Sequence, residues 1–107
     1  MKHFLAALCI LSAQPAFAEV NAYASGNTIY ERCTGDDKAW FVWCNGYLVG
    51  VTDMAASKGT VCIPDGTHPK RLYDVIVMYL ERNPTKRRIV APDLILEALE
   101  ARYACKR

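Results

Sequence analysis

The sequence predicts an all-α protein: a compact three- to four-helix single domain tied by two disulfides. Apolar residues recur at intervals of three and four through most of the chain. No stretch alternates apolar and polar residues in the manner of a half-buried strand. Cys33, Cys44, Cys62 and Cys105 form an even set in a short chain that begins like an exported one, which is the arithmetic of two cross-links.

Residues 1–18 read as a secretory signal. Lys2 and His3 make a basic start, an apolar run extends from Phe4 to Ala13, and Ala16 and Ala18 supply the small residues a signal peptidase needs. Cleavage is expected after Ala18. The apolar run is about ten residues, half of what a membrane-spanning helix requires. Cys9 follows the bulky Leu8 and precedes the Ala16-Phe17-Ala18 site, so lipid attachment at Cys9 is disfavoured. Removing 18 of 107 residues leaves 89, enough for one core spanning residues 19–107.

The whole chain has 13 basic and 11 acidic residues, and loss of Lys2 brings the remainder closer to neutral. Such a balance offers no basic face for releasing counterions from nucleic acid. The spacings C-x10-C-x17-C-x42-C contain no close pair to nucleate a zinc site, and no C-x-x-C redox or haem motif occurs. No cofactor is implied.

A short first helix is expected from about Ser25 to Cys33, capped by Asn27 or Thr28 with Glu31 placed for the reciprocal bond. A turn through Thr34, Gly35, Asp36 and Asp37 follows, and either aspartate suits the start of the next helix. That helix should span Lys38 to Ala56, burying a stripe of Trp40, Trp43, Cys44, Tyr47, Leu48, Val51, Met54 and Ala55. Gly46 and Gly50 would let another helix backbone approach closely. Lys58 to Gly66 reads as a loop held by Cys62. Thr67 can cap a third helix in which Leu72, Val75, Ile76, Tyr79 and Leu80 lie on one face, ending before Asn83-Pro84. After the basic turn Lys86-Arg87-Arg88, Pro92 opens a fourth helix with Leu94, Ile95, Ala98 and Leu99 inward, fading near Tyr103.

Four cysteines allow three pairings, and sequence alone does not choose among them. The pairing expected here joins Cys33 to Cys105, linking first and last helices, and Cys44 to Cys62, tying the second helix to its exit loop. A Cys33–Cys105 bridge would close a very long loop and contribute on the order of 4 kcal/mol by chain entropy.

Several phrases together resemble the Rap/Tai family of type VI secretion immunity proteins. They are Ser25-Gly26-Asn27, Cys33 followed by Asp36-Asp37, and the run Cys44-Asn45-Gly46-Tyr47-Leu48-Val49-Gly50-Val51-Thr52-Asp53. Cys62-Ile63-Pro64, Tyr79-Leu80, Asn83-Pro84, Ala91-Pro92, Ala98-Leu99 and Cys105 continue the likeness through nearly all of residues 19–107. The chain departs from the family pattern at Arg71, where glutamine is common, and at Ala104, where proline is common. The resemblance implies a small helical periplasmic immunity protein. It would bind and occlude a cell-wall amidase effector, with a homodimer as a further possibility.

The residues themselves fit a binder better than an enzyme. His68 is the only histidine outside the leader, stands beside Pro69, and has no evident nucleophile near it. Oxidised cysteines cannot supply a thiolate, and nothing places Asp53 and Asp74 together as a carboxylate pair. Candidate partner-binding residues are Phe41, which lies off the main apolar stripe, Lys58 in the loop, and Lys86, Arg87 and Arg88 in the basic turn. The alternatives are a small periplasmic chaperone or stress protein, and a helical binding module with an unrelated partner.

Overall fold

The structure, a computed structural model, describes residues 22–106. The expected signal peptide, its cleavage site and Cys9 lie outside the described residues. Four α-helices follow one another: α1 (Gly26–Thr34), α2 (Lys38–Ser57), α3 (Pro69–Arg82) and α4 (Ala91–Tyr103), with a single 3-10 turn at Pro84–Lys86. Among the described residues there is no strand, only an isolated bridge between Ser25 and Val90.

The first three helices begin where a side chain can accept their free amide hydrogens, whereas α4 starts at Val90 without one. Ser25, rather than Asn27 or Thr28, caps α1: its hydroxyl accepts from Thr28 N at 3.2 Å, and the Thr28 hydroxyl reciprocates to Ser25 N. Glu31 takes no part in this capping box, because the start of the helix lies three residues before Thr28 and not before Glu31. Asp37 caps α2 by accepting from Ala39 N and Trp40 N. His68, not Thr67, caps α3, its Nδ1 accepting from Lys70 N at 3.1 Å, while Pro69 fills the first helical position. Asn83 ends α3 ahead of Pro84, as Pro disfavours helical geometry in the residue before it.

The four helices share one core. Ile29 of α1, Leu48 of α2, Ile76 and Leu80 of α3, and Leu94, Ile95 and Leu99 of α4 are fully enclosed. Among the described residues Thr52 is the one buried polar residue, and its hydroxyl is satisfied by donating to Leu48 O at 2.7 Å.

The first helix is docked by its own backbone. Gly26 N donates to Ile89 O, Asn27 N to Arg87 O, and Ala91 N to Ala24 O, at 2.8, 2.6 and 2.8 Å. This approach is so close that a Cβ on Gly26 would stand 2.5 Å from the Leu94 side chain and 2.7 Å from Arg87 O. Gly46 and Gly50 are the opposite case. A Cβ at either meets nothing within 4 Å, so they mark an open helix face instead of the expected close helix contact.

The cysteines pair differently from expectation: Cys33 with Cys44 and Cys62 with Cys105. Only Gly35 to Asp37 separate α1 from α2, which brings the end of one beside the second turn of the other, with Cα atoms 5.3 Å apart at Cys33 and Cys44. The expected Cys33–Cys105 link fails because α1 meets the start of α4, whereas Cys105 follows its far end, about 20 Å of helix away. There Cys62 N donates to Tyr103 O at 2.8 Å and aligns Cys62 with Cys105.

Peptide mapping without reductant should recover Cys33 joined to Cys44 and Cys62 joined to Cys105. Removing the second pair by Cys62→Ser with Cys105→Ser should lower unfolding free energy by about 4 kcal/mol, against about 3 from loop closure alone for the first pair. In urea unfolding, Gly26→Ala should cost about 1–3 kcal/mol through overpacking, while Gly46→Ala should stabilise by up to about 1 kcal/mol.

Candidate partner-binding surface

The exposed side of α2 is unusual for a helix at a protein surface. In its 20 residues only Lys38 and Asp53 carry charge, so it has no polar face to turn to solvent. Its core side contributes Cys44, Leu48, Thr52 and Ala55. The remainder leaves Trp40, Phe41, Val42 and Met54 exposed, Val42 by 71%, together with the bare backbone of Gly46 and Gly50. Trp40 and Met54 are therefore not core residues as their spacing predicts. The true inward stripe is narrower, because α1, α3 and α4 together cover only part of the helix.

The aromatic groups are held in place and not splayed. Trp40 meets Trp43 edge-on at 5.8 Å between centroids, and Trp43 leans on Tyr47 at 5.0 Å. The Arg32 guanidinium lies 3.8 Å from the Trp40 ring centre, 4.4 Å from Trp43 and 5.8 Å from Tyr23, a cation–π stack that joins α1 to α2. Arg32 precedes Cys33 and Trp43 precedes Cys44, so the disulfide sets these neighbours side by side. Sequence reasoning missed Arg32 because it paired Cys33 elsewhere. Given the observed pairing, the adjacency can be read directly.

Phe41 is 43% exposed, and its ring packs on Tyr73 at 5.6 Å. With Asn45, His68, Pro69 and Lys70 these two rings line an open groove of about 480 Å³ between α2 and the start of α3. The Tyr73 hydroxyl donates to Cys33 O at 2.8 Å. Burial first, then the charges of Asp74 and Glu81, push the Tyr73 phenol above its ordinary range, so it remains a donor.

The remaining sequence-derived candidates do not join this surface. Lys58 caps the far end of α2, about 25 Å of helix from Phe41. Lys86 donates to Glu97 Oε2 at 3.2 Å and to the Tyr79 hydroxyl at 3.4 Å, while Tyr79 donates to Glu97 at 2.9 Å. Arg87 lies 4.0 Å over the Tyr30 ring, and its carbonyl holds Asn27. These two basic residues brace the connection between α3 and α4; Arg88 alone of the three is exposed without such a contact among the described residues.

The ring of His68 is engaged as a helix cap, and the four cysteines of the described residues are in bridges. Among the described residues no group of three or more His, Cys, Asp or Glu side chains is placed to hold a metal ion. Among the described residues no helix is long and apolar enough to cross a membrane. What α2 offers instead is a pre-set aromatic surface of the kind that anchors protein–protein contacts.

The family model for Rap1a immunity proteins matches residues 25–105, from the capping serine of α1 to the last cysteine. This chain belongs to the Rap1a immunity protein family. Membership implies a type VI secretion effector immunity protein, an inhibitor that binds a cognate effector. No curated protein matches the chain.

The Lys86–Glu97–Tyr79 brace makes a pH prediction. The Tyr79 hydrogen bond, then that of Lys86, lowers the Glu97 pKa below its ordinary 4.5. A lowered carboxyl stabilises the fold above its unfolded pKa and loses that contribution as pH falls through the folded value. In thermal melts, Glu97→Gln should therefore melt below the parent at neutral pH. The gap should close as pH drops below about 4, the ordinary range for a glutamate.

Proposed function

We propose that this protein acts in the periplasm, after cleavage of residues 1–18, and neutralises a peptidoglycan amidase delivered by type VI secretion by covering its substrate cleft. The observation that carries this reading is the exposed aromatic side of α2, held by a helix cap, a buried disulfide and the Arg32 stack, in a chain of the Rap1a immunity family. Fixed aromatic rings lose little entropy on binding, and exclusion of water around them multiplies the value of each contact. The leader-like residues 1–18 and the two disulfides support an oxidising compartment outside the cytoplasm.

Trp40, Phe41 and Val42 are the anchors in this reading, with Gly46 and Gly50 giving a flat strip against which partner backbone can lie. A second copy of the chain is the other occupant such a face admits. Sedimentation of the oxidised protein, alone and with its effector, separates the two arrangements.

Titrating oxidised protein spanning residues 19–107 into the cognate amidase should abolish peptidoglycan cleavage at a fixed stoichiometry. Full cleavage at saturating protein would reject the proposal. Val42→Asp places a charge at the centre of the anchor set and should weaken inhibition at least tenfold, about 1.4 kcal/mol. Because Val42 is largely exposed, the variant should keep the parent melting temperature within a few degrees, as surface changes usually do.

A further inference from the structure

A second surface stands apart from α2. Between α3 and α4 runs an open groove of about 300 Å³ whose floor is Val75, Met78, Ala98 and Ala101. Arg71 and Arg82 stand at its two ends and Arg102 on the facing helix. Arg71, Val75, Met78 and Arg82 fall at i, i+4, i+7 and i+11, one stripe of α3 about 16 Å long. The order along the stripe is cation, apolar, apolar, cation.

Arg82 and Arg102 stand in the last turns of α3 and α4, where the helix dipole favours a cation, and Arg102 lies 5.5 Å from the Tyr103 ring centre, but the fold gives Arg71 no such support. Arg71 occupies the first turn of α3, the positive end of the helix dipole, where a cation is disfavoured. Its neighbour Lys70 is compensated by Asp74, which accepts from it through both carboxylate oxygens at 3.1 and 3.0 Å. That engages the only acid lining the groove. Among the described residues the ion pairs are Lys70–Asp74 and Lys86–Glu97, so none of the three arginines has an acidic partner. Met78, at the middle of the floor, is nearly half exposed.

We infer that this groove is a docking site for an acidic amphipathic segment of a partner protein, with apolar side chains seated over Met78 and carboxylates at the arginines. Three unpaired guanidinium groups around an apolar strip complement that chemistry, since each can take a carboxylate in a two-bond fork. Its lining runs along two neighbouring helices, α3 and α4, which suits a chain segment and not the broad plane of a lipid surface. It is independent of the effector contact proposed for α2.

A synthetic 16-residue helical peptide, with leucines along one side and glutamates flanking them at both ends, tests the site. Fluorescence anisotropy with the oxidised protein at about 0.15 M ionic strength should show saturable binding, lost when the glutamates are replaced by glutamine. The combined variant Arg71→Gln, Arg82→Gln, Arg102→Gln should bind at least tenfold more weakly. Lys58→Gln, Arg88→Gln, Lys106→Gln removes the same charge elsewhere and should bind like the parent; equal loss in both would reduce the effect to net charge and overturn the site. Met78→Asp should abolish binding and Met78→Leu preserve it, which covers the case of the triple arginine variant failing to fold. Amide shifts on peptide addition should cluster on α3 and α4. Shifts confined to other helices, no binding of the peptide, or binding only to vesicles rich in anionic phosphatidylglycerol would refute the inference.

Discussion

The backbone of Ala24 to Asn27 is hydrogen-bonded to that of Arg87 to Ala91, and this clasp is what turns a succession of helices into a closed arrangement. It joins segments sixty or more residues apart, across the whole span of α2 and α3. Gly26 is the residue that permits it, since any side chain there would collide with Leu94 and with the carbonyl of Arg87. The basic turn is consequently part of the frame. Arg87 spends its carbonyl on Asn27 and its guanidinium on Tyr30, and Lys86 is occupied by Glu97. Charges that look available in the sequence are committed to holding the first and last helices together.

With α1 so placed, its other end must meet α2, and the Cys33–Cys44 bridge makes that junction permanent. The effect reaches the surface. Arg32 is delivered onto the Trp40 and Trp43 rings, and the Tyr73 hydroxyl finds the carbonyl of Cys33. Side chains that would otherwise collapse together or move freely are stacked on a fixed cation. A small domain can thus display a wide apolar area without losing a defined shape, because the supports are covalent and electrostatic as well as hydrophobic.

The helices were largely legible in the sequence, because their apolar spacing and their stop signals agree. The Asp36-Asp37 turn, the Asn83-Pro84 break and the Leu94 to Leu99 pattern all correspond to observed boundaries within a residue or two. Periodicity was less informative about depth. Trp40 and Met54 share the period of the core residues but stay partly open to solvent, Trp40 covered on one side by Arg32 of α1. Gly46 and Gly50 illustrate the same limit, as spacing cannot tell a tight contact from open space. The disulfide pairing was illegible for a related reason: it depends on which helix ends meet, and that is decided by the clasp around Gly26. The surface around Arg32 went unread along with it, whereas the exposure of Phe41 was anticipated from its position off the stripe.

Connectivity has one more consequence. The bridges join the first of these four cysteines to the second and the third to the fourth, so the two loops neither nest nor cross. Under the export proposed above, a chain threaded out N-terminus first would present them to an oxidant in that same order, and consecutive pairing favours native cross-links by direct oxidation of successive thiols.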